Sequence, residues 1–134
     1  GYESQRLFEL VLYCYLTGNA DMHLKNYALT QTPSGTYVLS PAYDLVNTAL
    51  VIPDDKEESA LTINGRKSSI RKRDFDALAQ SFSIHEKPLA AIYRRFQQIL
   101  PDWTALIRQS FLSEAMQEDY IRIVTEKHRI IFLA

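Results

Sequence analysis

The chain has 134 residues, 46% of them hydrophobic and 23% charged, with a net charge of -1. That is enough for one domain with a real core, and it supplies no overall field to draw in nucleic acid or an anionic membrane. The single cysteine, Cys14, excludes an internal disulfide and suits a reducing cytosol. No apolar stretch reaches the roughly 18 residues of a membrane span, and the N-terminus lacks a signal peptide's basic start and cleavage site. A cytoplasmic protein is expected. The chain begins at Gly1 without an initiator Met and reads as a piece of something longer.

Glu3 to Leu16 is predicted to be a helix, with Leu7, Leu10, Val11, Cys14 and Tyr15 at spacings of three and four. Thr17-Gly18-Asn19 ends it, because Gly and Asn tolerate the left-handed backbone that follows a helix C-terminus. After a polar stretch to Lys25, Tyr27-Ala28-Leu29-Thr30 and Thr36-Tyr37-Val38-Leu39 form a predicted hairpin with Pro33 and Gly35 at its tip. Ser40-Pro41 breaks the second strand. A less regular region follows, with a short strand expected at Leu61-Thr62-Ile63 before the turn signal Asn64-Gly65.

The remainder is helical in pattern. A helix is expected over Lys72 to Ser81, with Phe75, Leu78 and Phe82 on one face. Ser83-Ile84-His85-Glu86 has the form of a capping box opening a helix toward Leu100 through Leu89, Ile92, Tyr93, Phe96 and Ile99. Pro101-Asp102 starts another through Trp103, Leu106, Ile107 and Phe111. Ser113 caps the last, which carries Met116, Tyr120, Ile123, Val124, Lys127, Ile130 and Ile131. The expected fold is mainly α with one small β-hairpin: a single domain over 1–134, its chemistry in 18–48 and its helical body in 71–132.

The chemistry lies in Gly18-Asn19-Ala20-Asp21-Met22-His23-Leu24-Lys25-Asn26, a polar loop between a buried helix and the hairpin. Asp21 and Asn26 stand in the spacing Asp-x-x-x-x-Asn, and a second carboxylate, Asp44, follows the hairpin. Phosphoryl transfer needs these groups. One carboxylate orients the attacking hydroxyl and takes its proton, while an amide oxygen and another carboxylate hold Mg²⁺ against the nucleotide phosphates. The spacing is that of a protein-kinase catalytic loop. Leu45-Val46, however, stands where Phe-Gly follows the metal-binding Asp in ordinary kinases, and no His-Arg precedes Asp21.

Together with Leu39-Ser40-Pro41-Ala42-Tyr43-Asp44-Leu45-Val46-Asn47-Thr48, the loop resembles the C-terminal domain of HipA-like serine/threonine kinases, bacterial toxin kinases usually paired with a DNA-binding antitoxin. The strict match covers Gly18 to Thr48. The resemblance implies the C-terminal lobe of a kinase-like fold, with the N-terminal lobe absent. It implies that Asp21 is the catalytic base, that Asn26 and Asp44 hold Mg²⁺ for ATP, and that Lys25 lies near the transferring phosphate. It also implies that His23 supports the loop or the substrate, with Gly18, Asn19 and Tyr43 architectural. A protein substrate, such as a translation component, and a helix-turn-helix antitoxin are the implied partners. Direct nucleic-acid binding is not expected.

Other readings stay open at this point. A small-molecule kinase of the aminoglycoside or choline kind shares Asp-x-x-x-x-Asn, though not Ser-Pro-x-Tyr-Asp, and a non-catalytic kinase remnant would serve only to bind a partner. Lys25 also fits a solvated surface lysine, and Cys14 an inert core residue. The basic run Arg66-Lys67 and Arg71-Lys72-Arg73 fits a solvated turn and helix start better than a seat for an acidic partner or nucleic acid. The four glycines form no phosphate loop and no strand-rich lobe precedes the site, so the chain alone is expected to be inactive.

Overall fold

The computed structural model describes residues 1–134, and its architecture is a helical body holding one antiparallel hairpin. Helix α1 (Tyr2–Leu16) runs through the middle. Its deepest face is Phe8, Leu12, Tyr15 and Leu16, all at most 1% exposed, whereas Leu7, Leu10 and Val11 are only half-buried. Nearly every side chain from Leu7 to Leu16 is apolar, so the 3.6-residue period marks a helix without selecting its inward face.

The helix closes as its sequence predicts. Gly18 takes φ +78°, its N–H bonds Tyr15 C=O at 3.2 Å, and Asn19 N–H bonds Cys14 C=O at 2.8 Å. That is a Schellman motif, which satisfies carbonyls a helix end would otherwise leave free. Next come a 3₁₀ turn over Leu24–Asn26 and the hairpin, β1 (Leu29–Gln31) against β2 (Tyr37–Leu39), in the register Leu29 to Leu39. A one-turn helix, α2 (Thr48–Val51), follows the second carboxylate.

Helices α3 (Lys72–Ser81), α4 (Glu86–Gln98), α5 (Leu100–Arg108) and α6 (Glu114–Phe132) complete the body. They pack against α1 with Phe75, Ala79, Ile92 and Ile131, joined by Ile84 from the turn between α3 and α4. Phe75 stands edge-on to Phe8 and Tyr15 at 6.2 and 5.4 Å. Each such ring contributes roughly 1.5–3 kcal/mol through burial, with a further increment from the edge-on geometry. Ser113 caps α6, accepting from Met116 N–H at 3.3 Å.

Four sequence expectations change. The strand at Leu61–Ile63 is only a bridge from Ile63 to Arg66 across Asn64 (φ 52°) and Gly65 (φ 74°), the doubly left-handed turn that Asn-Gly favours. Ser83 does not open α4. It takes φ 55° and closes α3 in a second Schellman motif, with Ile84 N–H on Ala79 C=O at 3.0 Å. A left-handed residue cannot also adopt the extended backbone of an N-cap, so His85 takes that place without a side-chain bond. Phe111 is fully exposed, because α5 ends at Arg108 and the helical phase is lost before it. The fourth change is α2 itself, one turn capped by Asn47, whose side chain accepts from Leu50 N–H at 3.0 Å.

The basic run is largely spent on internal pairs: Arg66 with Asp74, Lys67 with Glu57, and Lys72 with Asp76. Asp74 matters most, since its side chain is 1% exposed. It accepts from Arg71 N–H and Asn64 Nδ2, both at 2.8 Å. Burial pushes this carboxyl up, but the Asn64 and Arg71 bonds, with Arg66 and Arg73 nearby, outweigh it and hold the group below its ordinary value. Its stabilisation is therefore complete above the unfolded value of about 3.9 and is lost as pH falls through the lower folded one. We expect Asp74→Asn to cost about 1.5–3 kcal/mol in urea melts at pH 7. The gap from the parent should narrow below about pH 3.9. An equal gap at both ends would show that the carboxylate charge contributes nothing.

Candidate active site

The end of α1 delivers the chain into a loop whose backbone is tied down at almost every residue. Asp21 N–H donates to Asn19 Oδ1 at 3.1 Å, while Asp21 C=O accepts from His23 N–H at 2.9 Å and from Asn26 Nδ2 at 3.1 Å. His23 C=O takes Asn26 N–H at 2.9 Å. The Asp21 main chain is thus fixed from both sides. Its side chain is exposed, and its carboxylate meets no hydrogen-bond or ionic partner within the chain.

Asn26 is 7% exposed. Its amide is oriented by the bond from Nδ2 to Asp21 C=O, and Oδ1 has no donor from the chain. Asp44 sits in the left-handed region at φ 54°, an uncommon conformation that Asp tolerates better than most residues. Its exposed carboxylate is unpaired. The Tyr43 hydroxyl donates to Lys25 C=O at 2.8 Å, which joins the segment before Asp44 to the loop that holds Asn26.

The donors on offer are an amide oxygen and a carboxylate, both hard. That set fits Mg²⁺, which takes oxygen ligands and keeps several waters. No cluster of three or more His, Cys, Asp or Glu side chains converges anywhere in the chain.

His23 and Lys25 line a cleft with Leu24 and Leu61. The imidazole makes no hydrogen bond to the loop backbone, and Lys25 forms no ion pair. Beside that cleft, an apolar groove of about 410 Å³ is lined by Leu7, Val11, Leu29 and Phe82, and it shares Leu24 and Leu61 with the cleft. Cys14 lies under the loop, 4% exposed, where burial pushes its thiol up to about 12. It is an inert residue.

Sequence reasoning assigned no role to Thr48, the last residue of the motif. Its Oγ1 accepts from Ala20 N–H at 2.9 Å and donates to Gly18 C=O at 3.2 Å. Ala49 N–H adds a bond to the same carbonyl at 3.1 Å. The helix after Asp44 therefore clamps the loop that carries Asp21. Only the position of Thr48, four residues beyond Asp44, hinted at this in the sequence. Thr48→Val keeps the shape and orphans Ala20 N–H, so it should cost about 1–3 kcal/mol and speed exchange of that amide. A change within about 0.5 kcal/mol would show that the clamp is slack.

The model of the HipA-like C-terminal domain matches residues 2–103. The chain belongs to that family. It is 35% identical over 79 residues to a putative kinase, Y4dM, of Sinorhizobium fredii, a match covering 58% of this chain and 19% of that protein. Its fold matches HipA from Shewanella oneidensis, solved in a toxin–antitoxin complex of HipA, HipB and operator DNA. The TM-score is 0.78 at 25% identity, covering 95% of this chain and 31% of the other. The chain thus spans under a third of either relative. No helix is long and apolar enough to cross a membrane.

Proposed function

We propose that this HipA-like domain is the catalytic lobe of an ATP-dependent serine/threonine protein kinase, the toxin of a toxin–antitoxin pair. The observation that carries the proposal is the contrast between main chain and side chain at Asp21: the backbone is fixed by three hydrogen bonds while the carboxylate stays unpaired. A base must be held in place yet keep its lone pairs for the substrate.

In this reading the Asp21 carboxylate accepts the proton of a Ser or Thr hydroxyl. The hydroxyl oxygen bonds to the γ-phosphorus, and the bond from that phosphorus to the leaving ADP oxygen breaks. Asn26 Oδ1 and the Asp44 carboxylate would hold Mg²⁺, which when bound neutralises charge on the phosphate oxygens. Lys25, free of any ion pair, offers its ammonium to the transferring phosphate. His23 faces the cleft where an acceptor segment would pass.

The chain carries the base and the metal ligands, and a lobe upstream of Gly1 would supply the phosphate-covering loop and a strand lysine. A protein of translation is the substrate class we favour, and a HipB-like DNA-binding antitoxin is the partner suggested by the HipA complex. The test is transfer of label from γ-³²P-ATP by the intact protein, with phosphoamino-acid identification. Phosphoserine or phosphothreonine is expected. Label on a small alcohol alone, or no transfer at all, would contradict the proposal.

A further inference from the structure

Helix α6 lies wholly beyond the residues matched by the family model, yet it touches the start of the site loop at one point and the segment that walls the cleft at another. Ile123 Cγ2 stands 3.1 Å from where a Cβ on Gly18 would lie. One turn further on, Lys127 Nζ pairs with Glu58 Oε2 at 3.1 Å, the two side chains only 15% and 20% exposed. The same ammonium lies 4.4 Å from the centroid of the Tyr15 ring. The other Glu58 oxygen accepts Ile70 N–H at 3.0 Å, and the Tyr15 hydroxyl donates to Ile70 C=O at 3.3 Å. Three parts of the chain therefore meet at one node: the end of α1, the segment 52–70 and α6.

That segment has little regular structure of its own beyond the Ile63–Arg66 bridge. It nevertheless carries Leu61, the wall of the cleft facing His23 and Lys25. Removing an ammonium and a carboxylate from water is costly, and apolar side chains of similar volume often stabilise such a place equally well. What an apolar pair lacks is direction. A charged hydrogen bond fixes an angle and a length, and here it does so three residues before Leu61.

We infer that Lys127 is a positioning residue for the phosphoryl transfer proposed above: through Glu58 it sets the 52–70 segment, and with it the acceptor side of the cleft. This rests on the kinase reading for its consequence in catalysis, but not for the latch itself.

The test compares the intact parent protein with a Lys127→Met/Glu58→Gln double variant. Glutamine keeps an acceptor for Ile70 N–H and methionine keeps an apolar stem over Tyr15, so neither charge is left buried alone. The thermal midpoint should stay within about 4 °C of the parent. Amide exchange across 54–63 should accelerate by about tenfold or more while α4 is unchanged. With Mg-ATP and dephosphorylated casein as the acceptor, KM for casein should rise about fivefold and KM for ATP should stay within about twofold. Lys127→Arg with Glu58 intact should keep both readouts at the parent's values. Unchanged exchange in 54–63, or an equal acceleration in every helix, would overturn the proposal. If the parent transfers nothing to casein, the kinase reading is what suffers, and the exchange result still decides whether Lys127 holds the segment.

Discussion

Replacing Asp21 with alanine in the intact protein is expected to lower phosphoryl transfer by about 10²- to 10⁴-fold, the usual contribution of a general base. Mg-ATP affinity should stay within about twofold, because the proposed site leaves metal and nucleotide to other groups. The stability of the variant should change by no more than about 0.5 kcal/mol. This follows from the geometry, since every bond that fixes Asp21 uses its backbone and none uses its carboxylate. A loss of activity accompanied by a drop in stability would therefore point to a structural role. Retained transfer would remove Asp21 from the chemistry.

The second large effect is expected at Gly18, and it is one of folding rather than catalysis. A Cβ added there would lie 2.6 Å from Asn47 Oδ1, 3.1 Å from Ile123 Cγ2 and 3.2 Å from Ala49 Cβ. The backbone is also left-handed, at φ +78°, which costs an L side chain roughly 1–2 kcal/mol. Overpacking against three neighbours adds roughly 1–3 kcal/mol. Gly18→Ala should accordingly lose about 2–5 kcal/mol in denaturant melts, a large share of a typical domain's 5–15 kcal/mol. Since Asn47 caps α2 and Thr48 clamps the loop, the same change should also disturb Asp21 and Asp44. A Gly18→Ala protein as stable as the parent would show that α2 and α6 do not press on the loop.

These two residues illustrate what the sequence discloses. Gly18 was legible because its role is local: a glycine after an apolar helical run, followed by Asn, specifies a left-handed closure whatever surrounds it. The motif from Gly18 to Thr48 likewise pointed to the HipA-like C-terminal family through residue type and spacing, and the family match over residues 2–103 bears that out. Roles that depend on distant packing were hidden. Ser83 carries the residue type of an N-cap, and only the closeness of α3 and α4 turns it into a helix terminator. Phe111 continued an apolar period that the chain abandons at Arg108. The pairing of Glu58 with Lys127 spans 69 positions, and no local pattern reveals it.

The buried and exposed carboxylates divide the same way. Asp74 is enclosed and fully bonded and acts on stability. Asp21 and Asp44 are open and unpaired, and the Tyr43–Lys25 bond ties together the two segments that carry them. Their availability is what makes the loop a candidate for chemistry rather than a well-made turn.

The most direct test of that claim is calorimetric titration of ATP into the intact protein with and without Mg²⁺, for the parent, Asp44→Ala and Asp21→Ala. The site described here predicts that Asp44→Ala loses the Mg²⁺-dependent part of the affinity, at least about tenfold or 1.4 kcal/mol, whereas Asp21→Ala keeps it. Parent-like, Mg²⁺-dependent binding by Asp44→Ala would contradict the assignment.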